Sequence, residues 1–208
     1  MIVKGPKRAL LAVLLCLLPI AGGAAVPGQD PNWPCQQRLV PTLSPTSLWN
    51  GPPLEGAGDW HAEPQVTALV EQIAPRSVAA DEGVAAIQAF AKPLSPADRS
   101  RLVPLAFLGL VEETNVERGE LIDRLKDFGE RQRNLAALVS RLTAEHDAIP
   151  PDAQGDEAKR RDDLTERLAY TTRSFDGMQR TIRYACETPT QLEARLGLYA
   201  RALEEALK

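Results

Sequence analysis

The sequence has few of the residues that carry most enzyme chemistry. Its 208 residues include only two histidines, His61 and His146, and three cysteines. No CxxCH segment is present, which excludes a covalent c-type haem, and no CxxC segment is present, which excludes a thioredoxin-like exchange centre. The GxSxG, HExxH and GxxxxGKS/T motifs of hydrolases, zinc proteases and phosphate-binding loops are also missing. We therefore predict a protein that is not an enzyme and has no cofactor.

Basic charge is also in short supply. The chain has 24 lysines and arginines against 28 aspartates and glutamates, a formal net charge of −4. A general nucleic-acid binder needs a net basic face to displace counterions. We therefore expect no nucleic-acid partner.

The N-terminus has the organisation of a secretory signal peptide. Positive residues at positions 4, 7 and 8 precede an uncharged apolar run from Ala9 to Leu18, and small residues follow at positions 21–25. This order predicts a cleavable signal peptide over residues 1–25 and export to the periplasm. An uncleaved anchor is the alternative, but a membrane-spanning helix needs roughly 20 predominantly apolar residues. Proline and glycine dilute this run, so no membrane span is expected after cleavage.

Two cysteines, Cys35 and Cys186, follow the predicted cleavage site. An even number of cysteines in an exported chain is normally oxidised. The sequence therefore predicts a disulfide between them.

Residues 26–61 are predicted to form an irregular arm. They contain seven prolines, which fix φ and remove backbone donors, and little periodicity. The same segment contains all three tryptophans, whose large rings favour burial. We expect the arm to lie across a helical body, pinned by Trp33 and Trp49 and tied covalently through Cys35.

Residues 62–208 are predicted to form a helical bundle domain. Apolar stripes at 66–73 and 84–91 indicate two short helices, and Ser95 and Pro96 begin a third that should kink or restart at Pro104. A heptad seam follows, and it resumes after a turn at Pro150 to Asp152. The seam residues are Leu121, Leu125, Phe128, Gln132, Leu135, Val139, Leu142, His146 and Ile149, then Leu164, Leu168, Thr171, Phe175, Met178, Ile182 and Ala185.

The stripe continues through Leu192, Leu196, Tyr199 and Leu203 after a predicted capping box at Thr188, Pro189 and Gln191. Two long helices joined by a short turn should fold back on each other. The predicted fold is all-α, an elongated helical bundle built on a long antiparallel, coiled-coil-like hairpin.

The hairpin register predicts where a site could lie. If the turn is centred near Asp152, Cys186 is level with Arg118, where the apolar stripe of the first long helix gives way to charged residues. The helix break and the arm meet at the same level. We predict a ligand or partner surface there, formed by Trp33, Asn115, Arg118, Arg183 and Tyr184.

Two acidic patterns elsewhere have simpler interpretations. Asp59, His61 and Glu63 alternate as metal ligands on a strand would, but a loop leading into the next helix is favoured, and no metal is predicted. Glu113, Glu117 and Glu120 share a helical face, yet di-iron bundles also need Glu-x-x-His pairs, which this chain lacks. A solvated acidic face paired with Arg118 and Arg124 is expected.

These features favour an exported interaction or accessory protein without catalytic chemistry of its own. It would present its hairpin to a protein partner, or to a second copy of itself. The alternative is a small-ligand or metal-binding helical module at the level of the Cys186 helix break.

Overall fold

A computed structural model describes residues 30–208, so the predicted signal peptide lies outside the described residues. The described chain contains five α-helices and two short 3-10 turns, at Pro45–Ser47 and Trp60–Ala62, and has no strand. The prediction of an all-α fold is confirmed. The helices are α1 (Pro64–Ile73), α2 (Ala80–Ala91), α3 (Pro96–Asp147), α4 (Asp156–Ala185) and α5 (Thr188–Ala206).

The 52-residue helix α3 is the axis of the bundle. Ser95 caps it by accepting a hydrogen bond from the Asp98 N–H, and Pro96 occupies the first turn. Of the two alternatives predicted at Pro104, a kink or a restart, the restart is wrong, because the helix continues through this residue. An interior proline costs about 3 kcal/mol, but Pro104 and its neighbours Val103 and Leu105 are buried in the main core. This packing offsets the lost backbone hydrogen bond.

Helices α3 and α4 form the predicted antiparallel hairpin. Close to the connecting turn, Leu142 and Ile149 of the α3 end pack with Leu164. Far from the turn, Ile122 packs in one cluster with Ile182. Contacts that pair early residues of one helix with late residues of the other require antiparallel helices.

The seam of α3 differs from the predicted one at its N-terminal end. Leu121 was expected to face the partner helix, but Ile122 is buried and Leu121 is partly exposed. A straight α-helix has 3.6 residues per turn, so the contact face drifts against a strict heptad repeat. The buried residues Arg118, Ile122 and Leu125 follow one another at steps of four and three, so they lie on one face of α3.

The predicted capping box at the start of α5 is also wrong. Cys186 and Glu187 keep right-handed helical backbone angles, with φ of −64° and −76°. Thr188 therefore lies inside an almost continuous helical path, and the cap position, Glu187, makes no side-chain capping bond. The apolar stripe predicted for α5 is entirely buried; it consists of Leu192, Leu196, Tyr199 and Leu203.

The main core lies at one end of the bundle, where α1, α2, α5 and the first half of α3 meet. The arm contributes Leu43, Trp49 and Trp60 to it, and the Trp49 ring stacks on Phe107 with centroids 4.6 Å apart. Burying aromatic rings of this size contributes much of a core's stability. No helix within residues 30–208 is long and apolar enough to cross a membrane.

Candidate functional site

The predicted disulfide is present and joins the arm to the junction of α4 and α5. The Cα atoms of Cys35 and Cys186 are 5.6 Å apart, and 151 positions separate the two residues in sequence. Both cysteines are buried in a cluster with Trp33, Ile122 and Ile182. The arm is therefore fixed at the level of the bundle where the helical path changes.

The first described residues of the arm are held on α3 by polar contacts. Lys126 Nζ lies 3.0 Å from the Asp30 carboxylate, and Arg133 donates to the Pro31 carbonyl at 2.6 Å. The Asn32 N–H and Lys126 hold the pKa of the Asp30 carboxyl below its usual value. The arm approaches so closely that a Cβ atom at Gly129 would collide with the Asn32 carbonyl oxygen.

Two of the predicted site residues, Asn115 and Arg118, also bind the arm. The Asn115 amide accepts from the Leu43 N–H at 2.8 Å and donates to the Leu43 carbonyl at 3.0 Å. Arg118 donates to the carbonyls of Val40 and Pro189 at 3.0 and 2.5 Å. These side chains satisfy the Leu43 and Val40 backbone groups of the arm, and Arg118 also binds a carbonyl in the first turn of α5.

Arg118 is the most deeply buried charged residue of the region, with 3% of its surface exposed. Burial lowers the pKa of its guanidinium, whereas the Glu193 carboxylate, 4.0 Å away, raises it. Its Nε atom is buried and has no partner within the described chain. The buried guanidinium therefore links the arm to the start of α5.

Trp33 is also used for contacts within the fold. Its ring is buried in the cluster around the disulfide, and its Nε1 donates to the Gln37 carbonyl at 2.8 Å. Gln37 in turn donates its side-chain amide to the Cys186 carbonyl at 2.5 Å. The arm between Trp33 and Gln37 thus closes on itself around Cys35 and docks onto the helix junction.

The last two predicted residues face in different directions. Arg183 is exposed and borders an open groove beside the disulfide. Tyr184 is 72% exposed and does not line that groove. The structure places Asn115 and Arg118 beneath the arm, with Trp33 of the arm near Arg118. It leaves Arg183 at the groove and separates Tyr184 from it.

The groove beside the disulfide is lined by side chains of four elements and has a volume of about 840 Å³. Five of the ten glutamines of the chain lie there. No sequence pattern groups them, because they are spread over more than 150 positions with no motif or period. They are Gln36 and Gln37 from the arm, Gln132 from α3, Gln179 from α4 and Gln191 from α5. Gln132 belongs to the predicted heptad seam and Gln191 to the predicted capping box.

The amides of this groove are largely available for a ligand. Gln37 uses its amide nitrogen on Cys186, whereas the other four make no side-chain hydrogen bond within residues 30–208. Each free amide can donate two hydrogen bonds and accept two. The floor includes the disulfide and Ile182. This surface is neutral, rich in donors and acceptors, and open along one side of the junction.

The acidic patterns have partners of their own. Asp59 caps the turn Trp60–Ala62 by accepting from the His61 N–H, while Glu63 pairs with Arg101 instead of converging with them. These contacts match the favoured loop interpretation. Residues 30–208 contain no group of three or more His, Cys, Asp or Glu side chains arranged to hold a metal ion.

The acidic face of α3 is paired with arginines. Glu117 lies 3.5 Å from Arg76 and 4.0 Å from Arg195, and Glu120 lies 3.3 Å from Arg124. Of the two arginines predicted to pair with this face, Arg124 does so, whereas Arg118 is buried and lies near Glu193 instead.

No protein-family model matches the sequence, and the searches for similar proteins and for similar solved structures found no match.

Proposed function

We propose that this protein is an exported, periplasmic interaction protein that binds an extended polypeptide segment in the glutamine-lined groove. The observation that carries the proposal is the convergence of Gln36, Gln132, Gln179 and Gln191 from four elements on one open surface. In this proposal the protein has no catalytic chemistry. The buried disulfide supports the export component, because disulfides persist in oxidising compartments.

A polypeptide fits the chemistry of the groove. An extended peptide presents a neutral N–H or C=O at regular intervals, and a primary amide can pair with both groups at once. From Gln179 to Ala194, the groove follows α4 and α5 for roughly 20 Å at 1.5 Å per residue. This length matches about six residues of extended chain at roughly 3.3 Å each.

The lining chemistry also separates a peptide from a glycan. Sugar rings stack their C–H faces on aromatic side chains, and no aromatic residue lines this groove within the described chain. Arg183 and Glu187 at the border add one charge of each sign. We expect a polar, uncharged segment at the centre of the bound peptide.

A small polar ligand is the second candidate. The volume of about 840 Å³ is within the roughly 300–1,000 Å³ range of small-molecule sites. Length dependence separates the two candidates: an extended-peptide site requires several consecutive residues, whereas a small-ligand site binds a dipeptide as well as an octapeptide.

Selection from a displayed library of random 12-residue peptides tests the proposal. Enriched peptides should bind the exported protein in calorimetry, and Gln179→Ala combined with Gln191→Ala should weaken them about 10- to 30-fold. This estimate assigns about 1 kcal/mol to each of two hydrogen bonds. The matched control changes Gln65 and Gln72, which are exposed on α1 outside the groove, to alanine and should leave affinity unchanged. Failure to enrich any peptide, or equal weakening by both pairs, would refute the proposed function.

A further inference from the structure

A second groove lies between α2 and α5 and has a volume of about 530 Å³. It is lined by the C-terminal half of α5, whereas the disulfide junction lies at the N-terminal end of that helix. Its floor is apolar and includes Val84, Leu198 and Ala202. Leu198 is 40% exposed, which is unusual for a leucine in a helix whose other large apolar residues are buried. The groove therefore exposes apolar surface that this fold does not cover.

Three cations border this apolar floor. They come from different elements: Lys92 follows the end of α2, Arg99 lies in the first turns of α3 and Arg201 lies on α5. None of the three forms an ion pair or a side-chain hydrogen bond within residues 30–208. Glu205 also lines the groove, but its carboxylate pairs with Lys208 at 2.5 Å.

Other arginines of the described chain, such as Arg141 and Arg180, also form no ion pair, so what distinguishes Lys92, Arg99 and Arg201 is that all three border one apolar floor. Arg101 and Arg195, by comparison, contact carboxylates or carbonyls. The Nε atom of Arg99 is shielded from solvent without a partner in the described chain, as are those of Arg118 and Arg161 elsewhere in the bundle. Buried donors in proteins are normally satisfied by protein, water or ligand. The groove thus combines apolar contact area with unused positive charge.

We propose that this groove binds a single-chain anionic amphiphile. Its alkyl chain would lie on the apolar floor, and its headgroup would be held by Lys92, Arg99 and Arg201. Lys92 and Arg99 flank the turn between α2 and α3, so the headgroup lies at that end and the chain extends toward Val84. The floor between Val84 and Lys92 is roughly 12 Å long at 1.5 Å per residue, enough for a medium-length chain.

The arrangement of the cations favours a free amphiphile over a bilayer surface as the occupant. A bilayer surface needs an extended basic face, whereas these cations border a single apolar groove between two helices, with Glu205 among them. An isolated amphiphile can lay its alkyl chain along this groove. The occupant is therefore a free single-chain molecule with a carboxylate or similar anionic head.

Titration calorimetry with sodium laurate below its critical micelle concentration tests this site in the exported protein. Laurate should bind saturably, whereas acetate, which lacks the chain, and dodecyl maltoside, which lacks the charge, should bind at least tenfold more weakly. Lys92→Gln combined with Arg99→Gln should weaken laurate at least tenfold. Arg173→Gln, at an exposed position on α4 outside the groove, is the matched control and should have no effect.

Leu198→Gln provides an independent variant at a partly exposed position, where loss of folding is not expected, and it should also weaken laurate. Binding that does not saturate, that is equal for dodecyl maltoside, or that is unchanged in the groove variants would overturn the proposal. Binding to phosphatidylglycerol vesicles without binding to monomeric laurate would also overturn it, and would indicate a membrane surface instead.

Discussion

Reducing the Cys35–Cys186 disulfide should destabilise the whole bundle rather than only the arm. A cross-link restricts the unfolded chain, and its entropic contribution grows with the length of the closed loop. For a separation of 151 residues, the chain-entropy relation gives about 5 kcal/mol at 25 °C, toward the upper end of the measured range of about 0–5 kcal/mol. We expect the free energy of unfolding to fall by about 3–5 kcal/mol on reduction.

Urea denaturation of the protein, with and without a reductant, measures this difference directly. In a thermal experiment, the same change corresponds to a fall of roughly 6–20 °C in Tm for a domain of this size. The variant with alanine at both Cys35 and Cys186 supplies the control. Its stability should resemble that of the reduced protein and should not respond to reductant.

A fall below about 1 kcal/mol would refute this reasoning. It would mean that the unfolded chain gains little freedom from reduction, or that the bridge is strained in the folded protein enough to cancel the entropic gain. A response of the alanine variant to reductant would show that the measured effect does not come from this disulfide.

Three further changes test the packing around the arm and the core. Arg118→Ala should lower the free energy of unfolding, measured by urea denaturation, by about 2–4 kcal/mol, because the Val40 carbonyl of the arm and the Pro189 carbonyl of α5 lose their donor. An unchanged urea midpoint would contradict the bridging role of Arg118. Gly129→Ala should destabilise the protein, because the new Cβ would collide with the arm backbone at Asn32. Gly119→Ala, at a position of α3 with open space around it, should stabilise the protein by up to about 1 kcal/mol, because alanine favours a helix more than glycine does. Equal effects on the urea midpoint would be inconsistent with close contact between the arm and Gly129. Burial raises the pKa of the Tyr199 phenol, so the unfolded chain ionises first and stability should fall above about pH 10. Tyr199→Phe should reduce this alkaline loss, and the exposed Tyr170→Phe should not; the same slope in both variants would exclude Tyr199 as its source.

The architecture could be predicted because its signals are repeated along the chain. The stripe from Leu192 to Leu203 is helical over three turns and is buried throughout. The pairing of Cys35 with Cys186 needed no geometry, since only two cysteines follow the predicted signal peptide. A repeated pattern tolerates a local error, as the one-residue displacement from Leu121 to Ile122 shows.

The glutamine groove could not be predicted in the same way. Gln36 and Gln191 are 155 positions apart, and glutamine is common on exposed helix faces. Their convergence depends on how the arm crosses the junction of α4 and α5. That crossing is determined by the disulfide and by short polar contacts such as the Gln37–Cys186 hydrogen bond, which leave no period in the sequence.

The predicted partner surface shows a further reason why irregular segments mislead sequence reasoning. Asn115 and Arg118 stand out because they interrupt an apolar stripe, and an interruption resembles a binding site. A proline-rich arm, however, has backbone donors and acceptors that no helix or sheet satisfies. Asn115 pairs with both polar groups of Leu43, and Arg118 binds the Val40 carbonyl. When a chain carries such an arm, polar residues within an apolar stripe must first be tested as its intramolecular partners, and the side chains that remain unpaired, here the groove glutamines, are the better candidates for a ligand.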